Sequence, residues 1–201
     1  MRKSLVALVG VAVLSTVARD VCGQALTVLG SFNGSNGSSP SGSLTLIGST
    51  LYGTTYEGGA YDGGTVFSIP VSGGTPTVLG SFNGSNGSNP SGSLTLIGST
   101  LYGTTRYSGA GLDGTVFSIP VSGGTPTALA SLNGSNALEA VGDLTLIGST
   151  LYGAANLGGA SGDGVVFSVT VPAPEPGALT LLGSALLGLG VVYLRRRRRK
   201  A

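Results

Sequence analysis

The chain has 201 residues, no His, no Trp and a single Cys, and its formal net charge of +2 comes from its two ends. Between residues 26 and 172 one cation, Arg106, stands against Glu57, Asp62, Asp113, Glu139, Asp143 and Asp163. Such a body lacks the Lys and Arg that neutralise phosphates, so no nucleic-acid partner is expected. The missing His and the lone Cys22 argue against disulfide stapling, Cys/His zinc sites and a nucleophile activated by histidine.

In chain order, the first element is MRKSLVALVGVAVLSTVA, with Arg2 and Lys3 ahead of a mostly apolar run from Leu5 to Ala18. This pattern reads as a secretory signal peptide over residues 1–25, in which cleavage after Ala18, Gly23 or Ala25 fits the small residues present. Signal peptidase is then a processing partner. Cys22 lacks a small residue directly before it, which argues against its being a lipid attachment site.

The body, 26–171, is one unit written three times. Leu51-Tyr52-Gly53 recurs at 101–103 and 151–153, a period of 50 residues, giving units 27–76, 77–126 and 127–171. The first two copies differ only at Ser39/Asn89 and in the window 56–63, whereas the third has Ala137-Leu138-Glu139-Ala140 where the others carry Gly, Ser, Asn and Pro. Each unit predicts four short strands. In the first copy these are Thr27–Phe32, Ser43–Ile47, Thr50–Thr55 and Thr65–Val71, alternating apolar and polar residues between turns rich in Gly, Asn and Ser. Gly48-Ser49 suits a two-residue hairpin. An antiparallel meander of this kind is how a propeller blade is built, so the expected fold is all-β, a propeller-like array of three four-stranded repeats flanked by an N-terminal signal helix and a C-terminal transmembrane helix. If each blade starts at Ser43, then 27–32 closes back onto the last unit. An open fan and closure by oligomerisation are the alternatives.

These units resemble the Gloeobacter/Verrucomicrobia-type tandem repeat through LYGTT at 51–55 and 101–105, LYGAA at 151–155, GTVFSIP at 64–70 and 114–120, and GVVFSVT at 164–170. The resemblance implies a secreted β-repeat protein and carries no activity with it.

The aligned loops 56–63, 106–113 and 156–163 vary on a constant scaffold, as the loops of a binding face do. Unselected drift of loops is the plainer explanation. Tyr56, Glu57, Asp62, Arg106, Tyr107, Asp113 and Asp163 are the candidate binding residues there, with an extracellular polysaccharide as the partner such loops suit. Asp113 and Asp163 share a register and Asp62 falls one position earlier, so turn aspartates are expected in place of three equivalent calcium sites. Glu57 and Asp62 share a loop as a glycosidase pair would, but the other copies lack that pair. No enzyme activity and no cofactor are expected.

The last element is VPAPEPGAL, residues 171–179, followed by an uncharged stretch and then Arg195, Arg196, Arg197, Arg198, Arg199 and Lys200. As a helix, 177–194 would be about 27 Å long, close to the roughly 30 Å hydrocarbon thickness of a bilayer. The basic tail 195–200 would act as a membrane stop, holding the C-terminus in the cytoplasm and the repeats outside. Residues 172–201 resemble the PEP-CTERM sorting signal. That resemblance implies that an exosortase acts at Pro174, Glu175 and Pro176, so that the inner membrane holds the protein only transiently before it reaches the cell surface or the extracellular matrix. An ordinary C-terminal anchor containing these residues is the alternative. The expected role is structural or adhesive; a secreted propeller that binds or processes glycans through the variable loops is the competing one.

Overall fold

The computed structural model describes residues 25–171. The expected signal peptide, sorting motif, transmembrane helix and basic tail therefore lie outside the described residues, apart from Ala25. Among the described residues there is no helix long and apolar enough to cross a membrane.

Eleven strands form three antiparallel sheets. Sheet 1 contains β1 (Ser38–Ile47), β2 (Thr50–Glu57), β3 (Thr65–Pro70) and β4 (Thr77–Ser81), in that order. Sheet 2 repeats it with β5 (Ser88–Ile97), β6 (Thr100–Tyr107), β7 (Thr115–Pro120) and β8 (Thr127–Ser131). Sheet 3 has only β9 (Leu138–Ile147), β10 (Thr150–Leu157) and β11 (Val165–Thr170). The all-β, propeller-like reading holds, and the array is open.

Sheets 1 and 2 each straddle a boundary between sequence units, since the outer strand comes from the start of the next copy. Thr77–Ser81 pairs with β3 and Thr127–Ser131 with β7. The expected strand Thr27–Phe32 is thereby corrected: residues 25–33 form no strand. No earlier copy supplies an edge for them, and a strand exists only where its N–H and C=O groups meet a neighbour. Nor does this segment close back onto sheet 3, whose outer strand β11 pairs, among the described residues, only with β10. The predicted second strand also starts earlier, at Ser38. A bulge between Ser41 and Thr45 carries the ladder past Gly42, where two extra residues let the strand bend without ending.

The sheets pack face to face, with β1 and β2 on β5, and β5 and β6 on β9. Alternation along each strand gives every sheet two apolar faces. Between sheets 1 and 2, Val66 with Tyr52 and Ile47 meets Leu94, Leu101, Phe117 and Ile119, joined by Phe82. Between sheets 2 and 3, Tyr102 and Val116 meet Leu144 and Leu151. Each such fully buried side chain contributes about 1.5–3 kcal/mol. Phe82 stands edge-on to Phe117 with ring centroids 4.8 Å apart, a favoured aromatic geometry.

Polar contacts lock the first strands together at a spacing of one repeat. Thr45 Oγ1 donates to the Leu94 carbonyl at 2.6 Å and Thr95 Oγ1 to that of Leu144 at 2.7 Å. Ser41 Oγ donates to Pro90 O at 2.9 Å, and Ser91 Oγ to Ala140 O at 3.1 Å. The strands meet so closely at Gly42 that a Cβ there would run into the backbone of Gly92, and a Cβ on Gly92 into that of Gly142. Gly142 itself faces open space, which marks the end of the array.

Candidate functional site

The variable loops follow β2, β6 and β10 and all emerge at the same end of the sheets. The side chains singled out there do two kinds of work: some tie one sheet to the next, and others close their own turns.

The differences between the first two copies meet in space. Asn89 Nδ2 donates to Tyr56 O at 3.0 Å, so the single substitution at 39/89 touches the first residue of the variable window. One repeat further on, the same juncture holds Arg106 and Glu139, with Arg106 Nη2 2.6 Å from Glu139 Oε2. Position 89 thus reaches the backbone of position 56, whereas at positions 106 and 139 the two side chains pair directly across the juncture between sheets. Arg106 also lies over the Tyr107 ring at 5.3 Å from its centroid, a cation–π arrangement. The hydrogen bond to the Glu139 carboxylate holds the Arg106 guanidinium even above its usual range, opposed by partial burial. The Tyr107 hydroxyl is pushed up mainly by desolvation, against the pull of Arg106; the nearby Glu139 carboxylate and Tyr56 add to the rise.

The acidic residues divide differently. Asp62, at φ 56°, accepts the Gly58 N–H on Oδ1 at 3.0 Å and so closes its own turn, as expected of a turn aspartate. Asp113 and Asp163 sit at equivalent bridges, Ser108 with Asp113 and Gly158 with Asp163. Glu57 ends β2, exposed, opposite Ser38. Among the described residues, no three of His, Cys, Asp and Glu stand close enough together to hold a metal ion. The structure thus brings together Tyr56, Arg106 and Tyr107, leaves Glu57 outside that cluster, and puts Asp62, Asp113 and Asp163 in the turns of their own blades.

The sequence reading missed Glu139 and Asn89 as members of this cluster. Their signal was present, because each departs from Ser39 at the same register position as the window changes. Asp143 was missed as well: its Oδ1 accepts the Ser93 N–H at 2.6 Å, where the preceding juncture uses Ser93 Oγ to accept from Ser43 N at 3.0 Å.

The third copy shows a coordinated change of another kind. In sheets 1 and 2 a buried pair of hydroxyls, Thr55 with Thr65 and Thr105 with Thr115, is 2.9 Å apart. Gly37 and Gly87 stand so close that a Cβ on either would strike the Thr55 or Thr105 side chain. Copy three has Ala155, Val165 and Ala137 at these positions, and they pack with Ala140 and Leu132 in an apolar cluster. Losing the hydroxyls together leaves neither hydroxyl without its mate, and the space they vacate accepts the Ala137 methyl.

A family of Gloeobacter/Verrucomicrobia repeats matches residues 13–184, a span that takes in all eleven strands. The chain belongs to the Gloeobacter/Verrucomicrobia repeat family. Comparison with curated proteins returned no match. The LYGTT and GTVFSIP elements through which the sequence resembles these repeats now have structural meanings. In the first two Gloeobacter/Verrucomicrobia repeats, the first is the second strand of its sheet, with its buried threonines. The second lays Phe67 or Phe117 on the closely packed Gly53 or Gly103.

Proposed function

We propose that the protein is an exported cell-surface or extracellular-matrix component with a structural or adhesive role, sorted at Pro174-Glu175-Pro176 by an exosortase. The observation that carries this reading is the ordered tail: the triplet, an uncharged stretch about one bilayer long, then six cations. It follows a repeat body in which several of the varying side chains, Asn89, Arg106 and Glu139, join one sheet to the next. The N-terminal signal pattern supports the same route. The Arg106–Glu139 pair and the bond from Asn89 to the Tyr56 carbonyl favour a structural role over a glycan-binding one, because they make the varying side chains at 89, 106 and 139 serve cohesion between sheets. No cofactor enters this reading.

Intact-mass analysis of the protein recovered from its native host, beside Glu175→Ala, tests the sorting. Loss of the segment beyond the triplet in the wild type and its retention in the variant is the expected result. A tail that persists through Ala201 in both makes the C-terminus a plain anchor and removes the matrix assignment.

A further inference from the structure

The two ends of the array complement each other. At one end, β11 has a bare outer edge among the described residues, whereas β3 and β7 carry β4 and β8. At the other end, TVLGSF at 27–32 repeats 77–82 letter for letter and already occupies the equivalent place against its own sheet. Leu29 O accepts the Gly74 N–H at 2.8 Å as Leu79 O accepts that of Gly124 at 2.9 Å. Phe32 stands edge-on to Phe67 at 4.8 Å, as Phe82 does to Phe117. All that 27–32 lacks is a preceding sheet to pair with. Val28 is accordingly 73% exposed.

The faces behind these edges match in the same way. Val66 and Val116 are fully buried by the sheet that follows them, but Val166 is 80% exposed, with Ile147 and Tyr152 exposed beside it. On the opposite face Leu94 and Leu144 are buried and Leu44 is 52% exposed. That face of sheet 1 holds a groove of about 350 Å³ lined by Leu29, Phe32, Leu44, Leu51, Phe67 and Ile69. In sheet 2 the corresponding residues are covered by Ile47, Tyr52 and Val66 of the sheet before.

We propose that a second copy of this chain docks head to tail. Thr27–Ser31 of one copy adds to β11 of the other as its fourth strand, and Ile147, Tyr152 and Val166 of that other copy fill the groove. The internal junctures fix the register: Ser168 opposite Thr27, Phe167 opposite Val28, Val166 opposite Gly30 and Val165 opposite Ser31, as in the pairing of β3 with β4. The polar contacts carry over too. Thr145 Oγ1 donates to the second copy's Leu44 carbonyl, and Asp143 N–H to its Ser43 Oγ, repeating the bonds of Thr45 and Ser43. Val141 stands where Ser41 and Ser91 donate, so this juncture has one hydroxyl bond fewer than the internal ones. The contact is heterologous. It closes as a two-copy ring of six sheets or continues as a fibre, and six lies within the range of about four to eight blades usual for propellers.

The test uses the full chain with Cys22→Ser, carrying Thr27→Cys and Ser168→Cys, under mild oxidation on a non-reducing gel. Directly paired strand positions lie within disulfide reach. A covalent dimer or ladder is expected, with the off-register pair Ser31→Cys and Ser168→Cys giving at least tenfold less. Adding Val166→Lys, at a site exposed in the single chain, is expected to abolish the crosslink while circular dichroism is unchanged. Crosslinking within single chains only, no crosslink, or equal yield from both registers overturns the proposal. None of these outcomes depends on processing at the C-terminus, so a failure here is distinct from a failure of the sorting assignment.

Discussion

Thr105→Ala opens a hole in a polar pair that has no water to fall back on. Thr105 Oγ1 accepts the Thr115 N–H at 2.9 Å and shares a hydrogen with Thr115 Oγ1 at 2.9 Å, both residues being buried. The substitution orphans that N–H, which costs about 1–3 kcal/mol, and removes a buried methyl worth roughly 0.8 kcal/mol. The Thr115 hydroxyl keeps Asn86 O as a second acceptor at 3.3 Å, so its own loss is partly offset, and the total comes to about 3 kcal/mol. Thr115→Val preserves shape and leaves Thr105 Oγ1 its backbone donor, for a cost of about 1 kcal/mol. The double variant reproduces the third copy, in which Ala155 and Val165 occupy these positions, and is expected to cost no more than Thr105→Ala alone. The coupling is therefore at least about 1 kcal/mol, outside the roughly 0.5 kcal/mol scatter of independent sites. Urea unfolding followed by far-ultraviolet circular dichroism and tyrosine fluorescence measures all four corners; with no Trp in the chain, the tyrosine signal is unobscured. Additive single effects, or a Thr105→Ala cost below about 1 kcal/mol, would refute the claim that the hydroxyls act as a unit.

Gly92→Ala and Gly142→Ala share a left-handed backbone, at φ 86° and 87°, and so share a strain of about 1–2 kcal/mol. Gly92→Ala is expected to cost at least a further 2 kcal/mol, because its Cβ strikes the Gly142 backbone in a packed interior; equal melting temperatures for the two variants in single chains kept apart by Val166→Lys would contradict the close approach. Glu139→Gln is expected to cost under about 1 kcal/mol, since Arg106 and Glu139 are partly solvated, and the loss shrinks in molar salt; a salt-independent loss would show that packing carries it. The Tyr107 hydroxyl is raised above its ordinary value in the folded chain, so its contribution is complete below about pH 10 and is lost as pH rises through the folded value. Tyr107→Phe is expected to flatten that alkaline part of the stability curve and leave neutral pH nearly unchanged, and a difference that appears only near neutral pH would argue against it.

The sequence alone determined the period of 50, the strand-and-turn rhythm, the all-β class and the polar turn role of Asp62, because alternation, Gly-rich turns and internal identity are local properties that survive in any packing. It also marked positions 39, 56, 89, 106 and 139 as places where copies differ, without saying which of them meet. That needed distance: Tyr56 and Asn89 are 33 residues apart in the chain and meet only because successive sheets pack in register. The fate of Thr27–Phe32 shows the same limit most plainly. Its letters are those of Thr77–Phe82, yet only the latter includes a strand, since a strand is made by the edge beside it, and the tertiary structure alone supplies or withholds that edge.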